Sequence, residues 1–265
     1  MIGLILGTSE GKNILSLLNE FTEDILISTA TTYGGDIIKE YKYKILNTDA
    51  LDIKGLKELF TKQGVSTLVD ASHPYATEIT KNCRRACEDL KIEYLRFERP
   101  SIIDKYIDMD KVICVSSYEN LVEKIIDIKE LQSSDCVILN TTGSRNINKF
   151  MDSKLINRVV HRVLPSMSII KECLDLGVAI EDIIAIKGPI GFDLNLGFIK
   201  QYKAKAIILK DSGILGGTEE KIKAALQENI YIFVIERKKE LFKNIFYSEE
   251  ELVNYIRKNN IVRLV

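Results

Sequence analysis

Histidine is scarce in this chain, with two in 265 residues, and none of its five cysteines forms a Cys-x-x-Cys pair. A zinc ribbon or other metal cage therefore has few ligands to draw on. Cys83 and Cys87 share a helix face, but with Cys114, Cys136 and Cys173 the total is odd, which argues against a disulfide framework. Excess charge of either sign is also missing. Lys and Arg number 37 against 38 Asp and Glu, a formal net charge of -1. Wholesale binding to nucleic acid or to anionic lipid is not expected, and any basic surface must be local. No apolar run approaches the ~18 residues of a membrane-spanning helix. The chain enters its first strand at Ile2 without a basic leader, so the cytoplasm is the expected location.

Several catalytic signatures are absent as well. None of the 11 tyrosines is followed four residues later by lysine, the acid pair of short-chain dehydrogenases, and there is no His-Glu-x-x-His. Only three residues separate Gly7 from Gly11, and Asn13 follows Lys12 where a P-loop needs Ser or Thr, so ATP chemistry loses support.

What is present is alternation. Short β-branched runs trade places with amphipathic stretches almost from end to end, the pattern of parallel βαβ units. The first strands are expected at Ile2–Leu6, Ile25–Ser28, Lys44–Leu46, Thr67–Val69 and Glu93–Phe97, with helices at Glu10–Asn19, Ile53–Lys62 and Ala76–Leu90. The pattern lapses over Ser101–Lys111, read as a linker. It then resumes with strands at Val112–Val115, Val137–Leu139, Arg158–Leu164, Ile183–Ile186, Ala206–Leu209 and Ile230–Ile235, and a last helix near Glu249–Lys258. At 46% apolar composition the chain can build two cores, and we expect two Rossmann-like α/β domains, residues 1–109 and 110–265, with a ligand cleft between them.

The turns after the strands carry the functional signal. They read Gly7-Thr8-Ser9-Glu10-Gly11, Thr31-Thr32-Tyr33-Gly34-Gly35, Asp70-Ala71-Ser72-His73-Pro74-Tyr75, Thr141-Thr142-Gly143-Ser144-Arg145, Lys187-Gly188-Pro189 and Lys210-Asp211-Ser212-Gly213. Any one could be a good turn and nothing more. Six at the same edge, dense in glycine and hydroxyls, suit backbone approach to a ligand and anion binding at helix starts. The first takes the place of a dinucleotide fingerprint without its full spacing, and the second strand ends without the acid that would hold a ribose diol. His73 stands out because a lone histidine more often caps or packs, yet here Pro74 and Tyr75 flank it at a strand end, with Pro74 suited to open a helix.

With Tyr94-Leu95-Arg96-Phe97-Glu98-Arg99-Pro100, Ile186-Lys187-Gly188-Pro189 and Gly216-Gly217 added in order, the chain resembles the precorrin-6A reductase and cobalt-precorrin-6A reductase family of corrin ring synthesis over nearly its whole length. One departure is that the family usually opens with two adjacent glycines before Thr, and Leu6 holds the first of those places. The resemblance implies reduction of a macrocycle double bond of (cobalt-)precorrin-6A to (cobalt-)precorrin-6B, with NADPH or NADH as hydride source. On that reading Gly7, Thr8, Ser9, Glu10, Gly11, Thr31, Tyr33, Gly34, Gly35, Thr142 and Gly143 contact the cofactor. His73 and Tyr75 orient substrate or relay a proton, and Ser72, Arg145, Lys187, Gly188, Lys210, Asp211, Ser212 and Gly213 bind the carboxylate-rich corrinoid. The partner is that small molecule, with no nucleic acid, membrane or metal expected and the oligomeric state open. The alternatives are an S-adenosylmethionine-dependent corrinoid methyltransferase and a non-catalytic corrinoid- or nucleotide-binding module.

Overall fold

A computed structural model describes residues 1–7, 10–29, 35, 38–238 and 240–262. The chain divides into two compact units, Met1–Pro100 with Lys239–Val265, and Ser101–Lys238. In the first unit β1 (Ile2–Leu6), β2 (Ile25–Ser28), β3 (Ile45–Asn47), β4 (Thr67–Ala71), β5 (Glu93–Phe97) and β12 (Ile245–Phe246) form one parallel sheet in the order β12-β5-β4-β1-β2-β3. Its strands are apolar on both sides because helices cover both faces, as a parallel sheet requires. Leu4, Ile27, Val69 and Leu95 pack with Ile14, Leu15 and Leu18 of α1 (Glu10–Leu18) and with Leu252, Val253 and Ile256 of α9 (Glu249–Val262). Ile5, Leu26 and Leu68 face the other way, against Leu56 and Phe60 of α2 (Ile53–Gln63) and Cys83, Ala86 and Cys87 of α3 (Thr77–Leu90). Fully burying an aliphatic or aromatic side chain of this kind contributes roughly 1.5–3 kcal/mol. The α2 start is fixed by Asp52, whose carboxylate accepts the Gly55 N–H at 2.8 Å.

The second unit repeats the architecture. Its strands β6 (Val112–Val115), β7 (Val137–Asn140), β8 (Arg158–Val163), β9 (Ile183–Ala185), β10 (Ala204–Lys210) and β11 (Tyr231–Ile235) run parallel in the order β6-β11-β10-β7-β8-β9. Between them lie α4 (Tyr118–Asp127), α5 (Asn148–Met151), α6 (Met167–Asp175), α7 (Phe192–Gln201) and α8 (Thr218–Gln227). In each sheet the winding reverses beside one strand, between β1 and β4 in the first unit and between β7 and β10 in the second. Ligands of open α/β sheets bind outside the carboxyl ends at such a reversal.

Several boundaries differ from the sequence reading. The expected second domain, 110–265, ends too late, because residues beyond 239 return to the first unit, where β12 pairs with β5 and Arg257 meets Glu20 at 3.0 Å. The expected linker belongs to the second core. Ile102, Ile103 and Tyr106 are buried there, and the Tyr106 hydroxyl donates to Glu219 at 3.1 Å. The strand β4 runs on through Asp70 and Ala71, so Asp70 lies inside the sheet instead of in the turn. Pro74 does not open a helix, since α3 begins at Thr77 and the Ala76 N–H closes a turn onto the His73 carbonyl at 2.7 Å. Among the described residues no helix is long and apolar enough to cross a membrane, and no group of His, Cys, Asp and Glu is placed to hold a metal ion.

Candidate functional site

At the reversal in the first unit, the turns leaving β1 and β4 lie side by side because the strands pair in register, Leu6 opposite Ala71. A Cβ on Gly7 would come within 3.0 Å of the His73 backbone nitrogen and 3.1 Å of the Ser72 Cα. Glycine is needed there for close approach of two backbones, and this contact brings Gly7, Ser72 and His73 together.

Under the His73 turn lies a buried ion pair. Arg96, 1% exposed, meets the Oδ1 of fully buried Asp70 at 2.9 Å through Nη1, which also donates to the Asp70 carbonyl at 3.3 Å and the Ser72 hydroxyl at 3.0 Å. Its Nε donates to Glu98 at 3.2 Å. The other Asp70 oxygen accepts the Tyr94 hydroxyl at 2.7 Å, and the Ser72 N–H donates to Oδ1 at 2.9 Å. Burial, then Asp70, hold the Tyr94 phenol well above its usual range, so it stays a donor. Burial pulls the Arg96 guanidinium down, but Asp70, Tyr94 and Glu98 outweigh it and raise its proton affinity. The ring of Phe242, from the returning C-terminal segment, sits 5.9 Å from the guanidinium. Ser72 is therefore not an open substrate contact, since it is 4% exposed with its hydroxyl between Arg96 and Thr80. His73 and Tyr75 are half-buried, with rings 5.7 Å apart, and the Tyr75 N–H donates to His73 Nδ1 at 3.3 Å. In the neutral ring the proton then sits on Nε2. Cys83 and Cys87 are buried behind this network, and burial pushes the Cys87 thiol up to about 12, so it is no nucleophile.

Of the expected cofactor contacts, Thr8, Ser9, Thr31, Tyr33 and Gly34 lie outside the described residues. Glu10 opens α1, Gly11 follows in its first turn, and Gly35 stands beside Leu46 and Thr48.

At the reversal in the second unit a one-way hydrogen-bond chain starts at Tyr118. Its hydroxyl donates to Thr142 Oγ1 at 2.9 Å, which donates to Asn140 Oδ1 at 2.7 Å, and Asn140 Nδ2 lies 3.0 Å from His161 Nδ1. Because Nδ2 can only donate, His161 accepts at Nδ1, and burial lowers its pKa to about 4, keeping it neutral. The Thr142 hydroxyl thus points into the fold, while Gly143, with φ 87°, borders open space. Lys210 ends β10 and donates to the Thr142 carbonyl at 3.0 Å; burial, then Arg145, lower it to about 8. Asp211 and Ser212, expected at the substrate, are buried turn-builders instead. Asp211 meets Arg237 at 3.3 Å and accepts the Gly213 N–H at 3.2 Å, and the Ser212 N–H donates to Thr218 Oγ1 at 2.9 Å. Lys187 and Gly188 follow the edge strand β9, yet their loop folds back toward β10. Gly217 has φ +69°, and a Cβ there would stand 3.0 Å from Pro189, so only glycine serves.

Four residues of these edges have no site role in the sequence reading, although Arg96 stands in one of its motifs: Arg96, Asn140, Arg162 and Lys221. Asn140 had a signal, a polar residue at the end of an apolar strand. Arg162, in the run Arg158-Val159-Val160-His161-Arg162-Val163, reaches Asn195 Oδ1 at 3.0 Å, and burial lowers it to about 10. Lys221, 5% exposed on α8, looked like an ordinary helix lysine.

Comparison with known proteins bears on which chemistry these edges serve. Residues 1–257 match the family model described as precorrin-6x reductase CbiJ/CobK. The cobalt-precorrin-6A reductase of Methanothermobacter thermautotrophicus is 36% identical over 87% of this chain and 74% of its own length. The proteins of the same name from Methanocaldococcus jannaschii and Priestia megaterium are 32% and 30% identical, over 94% and 96% of this chain and 95% and 97% of theirs. Among solved structures, one titled CobK precorrin-6A reductase superposes with a TM-score of 0.74 over 97% of this chain and 96% of its own, at 16% identity, a likeness of fold.

Proposed function

The chain belongs to the precorrin-6x reductase family, and from that premise we propose that it reduces one double bond of (cobalt-)precorrin-6A, giving (cobalt-)precorrin-6B in cobalamin biosynthesis. It is an oxidoreductase, which sets aside the methyltransferase and binding-module alternatives, as well as the nucleophile-elbow spacing that Gly7-Thr8-Ser9-Glu10-Gly11 also spells. The observation that carries the reading is the family match over residues 1–257, joined to a first-unit reversal where Gly7 has no room for a side chain.

The residues at that reversal fit a nicotinamide dinucleotide. Gly7 and the start of α1 offer backbone and the positive end of a helix to a phosphate, and no acid ends β2, where Ser28 and Thr29 stand instead. NADPH or NADH supplies the hydride for one ring carbon when bound, and the neighbouring carbon takes a proton. The chain's own residues then position and bind. His73 orients the macrocycle at the Gly7 turn, and Tyr75 adds a flat face beside it. Arg145, Lys187 and Lys210 grip the peripheral carboxylates of the ring, and Gly143 lets the backbone approach it. The cytoplasm is the proposed place of action.

Steady-state kinetics with His73→Ala test the orienting role. The Michaelis constant for the macrocycle should rise while turnover stays level. A fall in turnover of about 100-fold would make His73 a proton relay. An unchanged variant would remove it from the site.

A further inference from the structure

In the second unit Asn140 and His161 stand opposite each other in the β7–β8 register, and both side chains are buried. Polar groups so placed are costly unless their atoms find partners, and here each partner dictates the next. Asn140 Oδ1 accepts twice, from the Thr142 N–H at 3.0 Å and from the Thr142 hydroxyl at 2.7 Å, so one oxygen fixes both backbone and side chain of that residue. Asn140 Nδ2 is left facing His161 Nδ1 at 3.0 Å, and the neutral ring accepts there. The ring is itself held, packed edge-on against Phe150 at 5.6 Å, and Phe150 meets Tyr118 at the same distance. Without the ring's lone pair the amide is free to turn over, and Thr142 then faces N–H groups instead of an acceptor. From the other side the N–H and hydroxyl of Thr141 both donate to the Ile208 carbonyl of β10, at 2.9 and 2.8 Å. The turn so fixed presents the Thr142 carbonyl, which accepts Lys210 Nζ at 3.0 Å.

From these contacts we infer that His161 and Asn140 are positioning residues for Lys210: the ring fixes the amide, the amide fixes Thr142, and the Thr142 carbonyl aims the ammonium. The inference deepens the proposed function and rests on it for what Lys210 grips, a carboxylate of the macrocycle. The contacts from His161 to Lys210 stand without it. Neither positioning residue touches the substrate, so both act on binding through the lysine. A chain of hydrogen bonds that only closed the turn would lose stability when broken and leave Lys210 as it was.

The test compares the full chain with His161→Leu, which has no acceptor for the amide, and His161→Gln, whose side-chain oxygen can replace Nδ1. Acetic anhydride labels the amines, and mass spectrometry reads Lys210 against Lys205, which is exposed on the same strand. In His161→Leu, Lys210 should label about 3- to 10-fold faster relative to Lys205, the factor of one hydrogen bond lost. The Michaelis constant for the macrocycle should rise by a similar factor at level turnover, and His161→Gln should restore both values. Parent-like labelling in His161→Leu, or a His161→Gln that labels like His161→Leu, would overturn the inference. Nitrogen NMR of the parent tests it without any variant: His161 should carry its proton on Nε2, and a protonated Nδ1 would overturn it. If labelling shifts as expected but the parent turns over no macrocycle, the positioning of Lys210 stands and the reductase reading falls. If labelling shifts and the Michaelis constant does not, the positioning stands and Lys210 leaves the carboxylate rim.

Discussion

The two sheets share one winding and meet the same problem, polar groups at a buried carboxyl edge, in opposite ways. Beneath the His73 turn of the first unit each charge has its opposite, since Arg96 lies between Asp70 and Glu98 and Tyr94 closes the remaining oxygen of Asp70. At the matching edge of the second unit burial lowers the proton affinity of Lys210, Lys221 and Arg162, and Lys210 and Arg162 donate to neutral oxygens, the Thr142 carbonyl and the Asn195 amide. A charge-paired edge is complete as it stands and holds a turn in place; an edge of buried cations carries a desolvation cost instead. The difference separates a charge-paired edge from one that carries buried cations, although the strand order of the two sheets gives no hint of it.

Breaking the charge-paired edge should have the largest effect. Arg96→Met leaves Asp70 buried and unpaired, and removing one partner of a buried pair costs roughly 3–5 kcal/mol, to be read as a lowered denaturant midpoint at unchanged slope. A variant as stable as the parent would mean that Asp70 finds other partners. In the second unit the same kind of deletion should act with the opposite sign. Lys221→Met removes an unfavourable charge, and a folded pKa near 7 against an ordinary 10.5 caps the gain at about 5 kcal/mol. The folded value lies below the unfolded one, so between about pH 7 and 10.5 the unfolded chain binds the extra proton and the parent gains stability as pH rises. The advantage of Lys221→Met is therefore full below pH 7 and gone above the ordinary lysine value. A gain that is independent of pH would contradict the charge argument.

A smaller effect comes from His161, neutral in the fold with a pKa of about 4 against 6.5. Stability should fall as pH drops from 6.5 toward 4, by about 2 kcal/mol at pH 5. His161→Gln should flatten that limb in urea melts. If both proteins lose stability in parallel, other groups dominate the acid side.

Much of this was legible in the letters. The strands β1, β2 and β6 fall where β-branched runs stand, and Gly7, His73, Gly143 and Lys210 reach the carboxyl edges as their turns suggest. What escaped has physical reasons. The strand β12 is two residues long, too short for a period, and its place depends on an edge hydrogen bond from the Arg96 N–H to the Asn244 carbonyl at 2.9 Å. Arg96 reads as a charge that should face water, because only the fold brings Asp70 to it from a strand 26 residues earlier in the chain. Lys221 escaped for the converse reason, since nothing in a helix sequence distinguishes a lysine lying over the sheet from one in solvent. The hydroxyls of Ser72 and Thr142 attract attention as ligand contacts, yet both are drawn into local hydrogen bonds that shape the turn.

The central claim, hydride transfer to a corrinoid ring, is tested most directly by incubating the full chain without oxygen with cobalt-precorrin-6A and a nicotinamide coenzyme deuterated at its transferable position. The account predicts loss of the reduced nicotinamide band in step with a product carrying one deuteron on the macrocycle. Coenzyme that stays reduced while the macrocycle is bound and unaltered would contradict it.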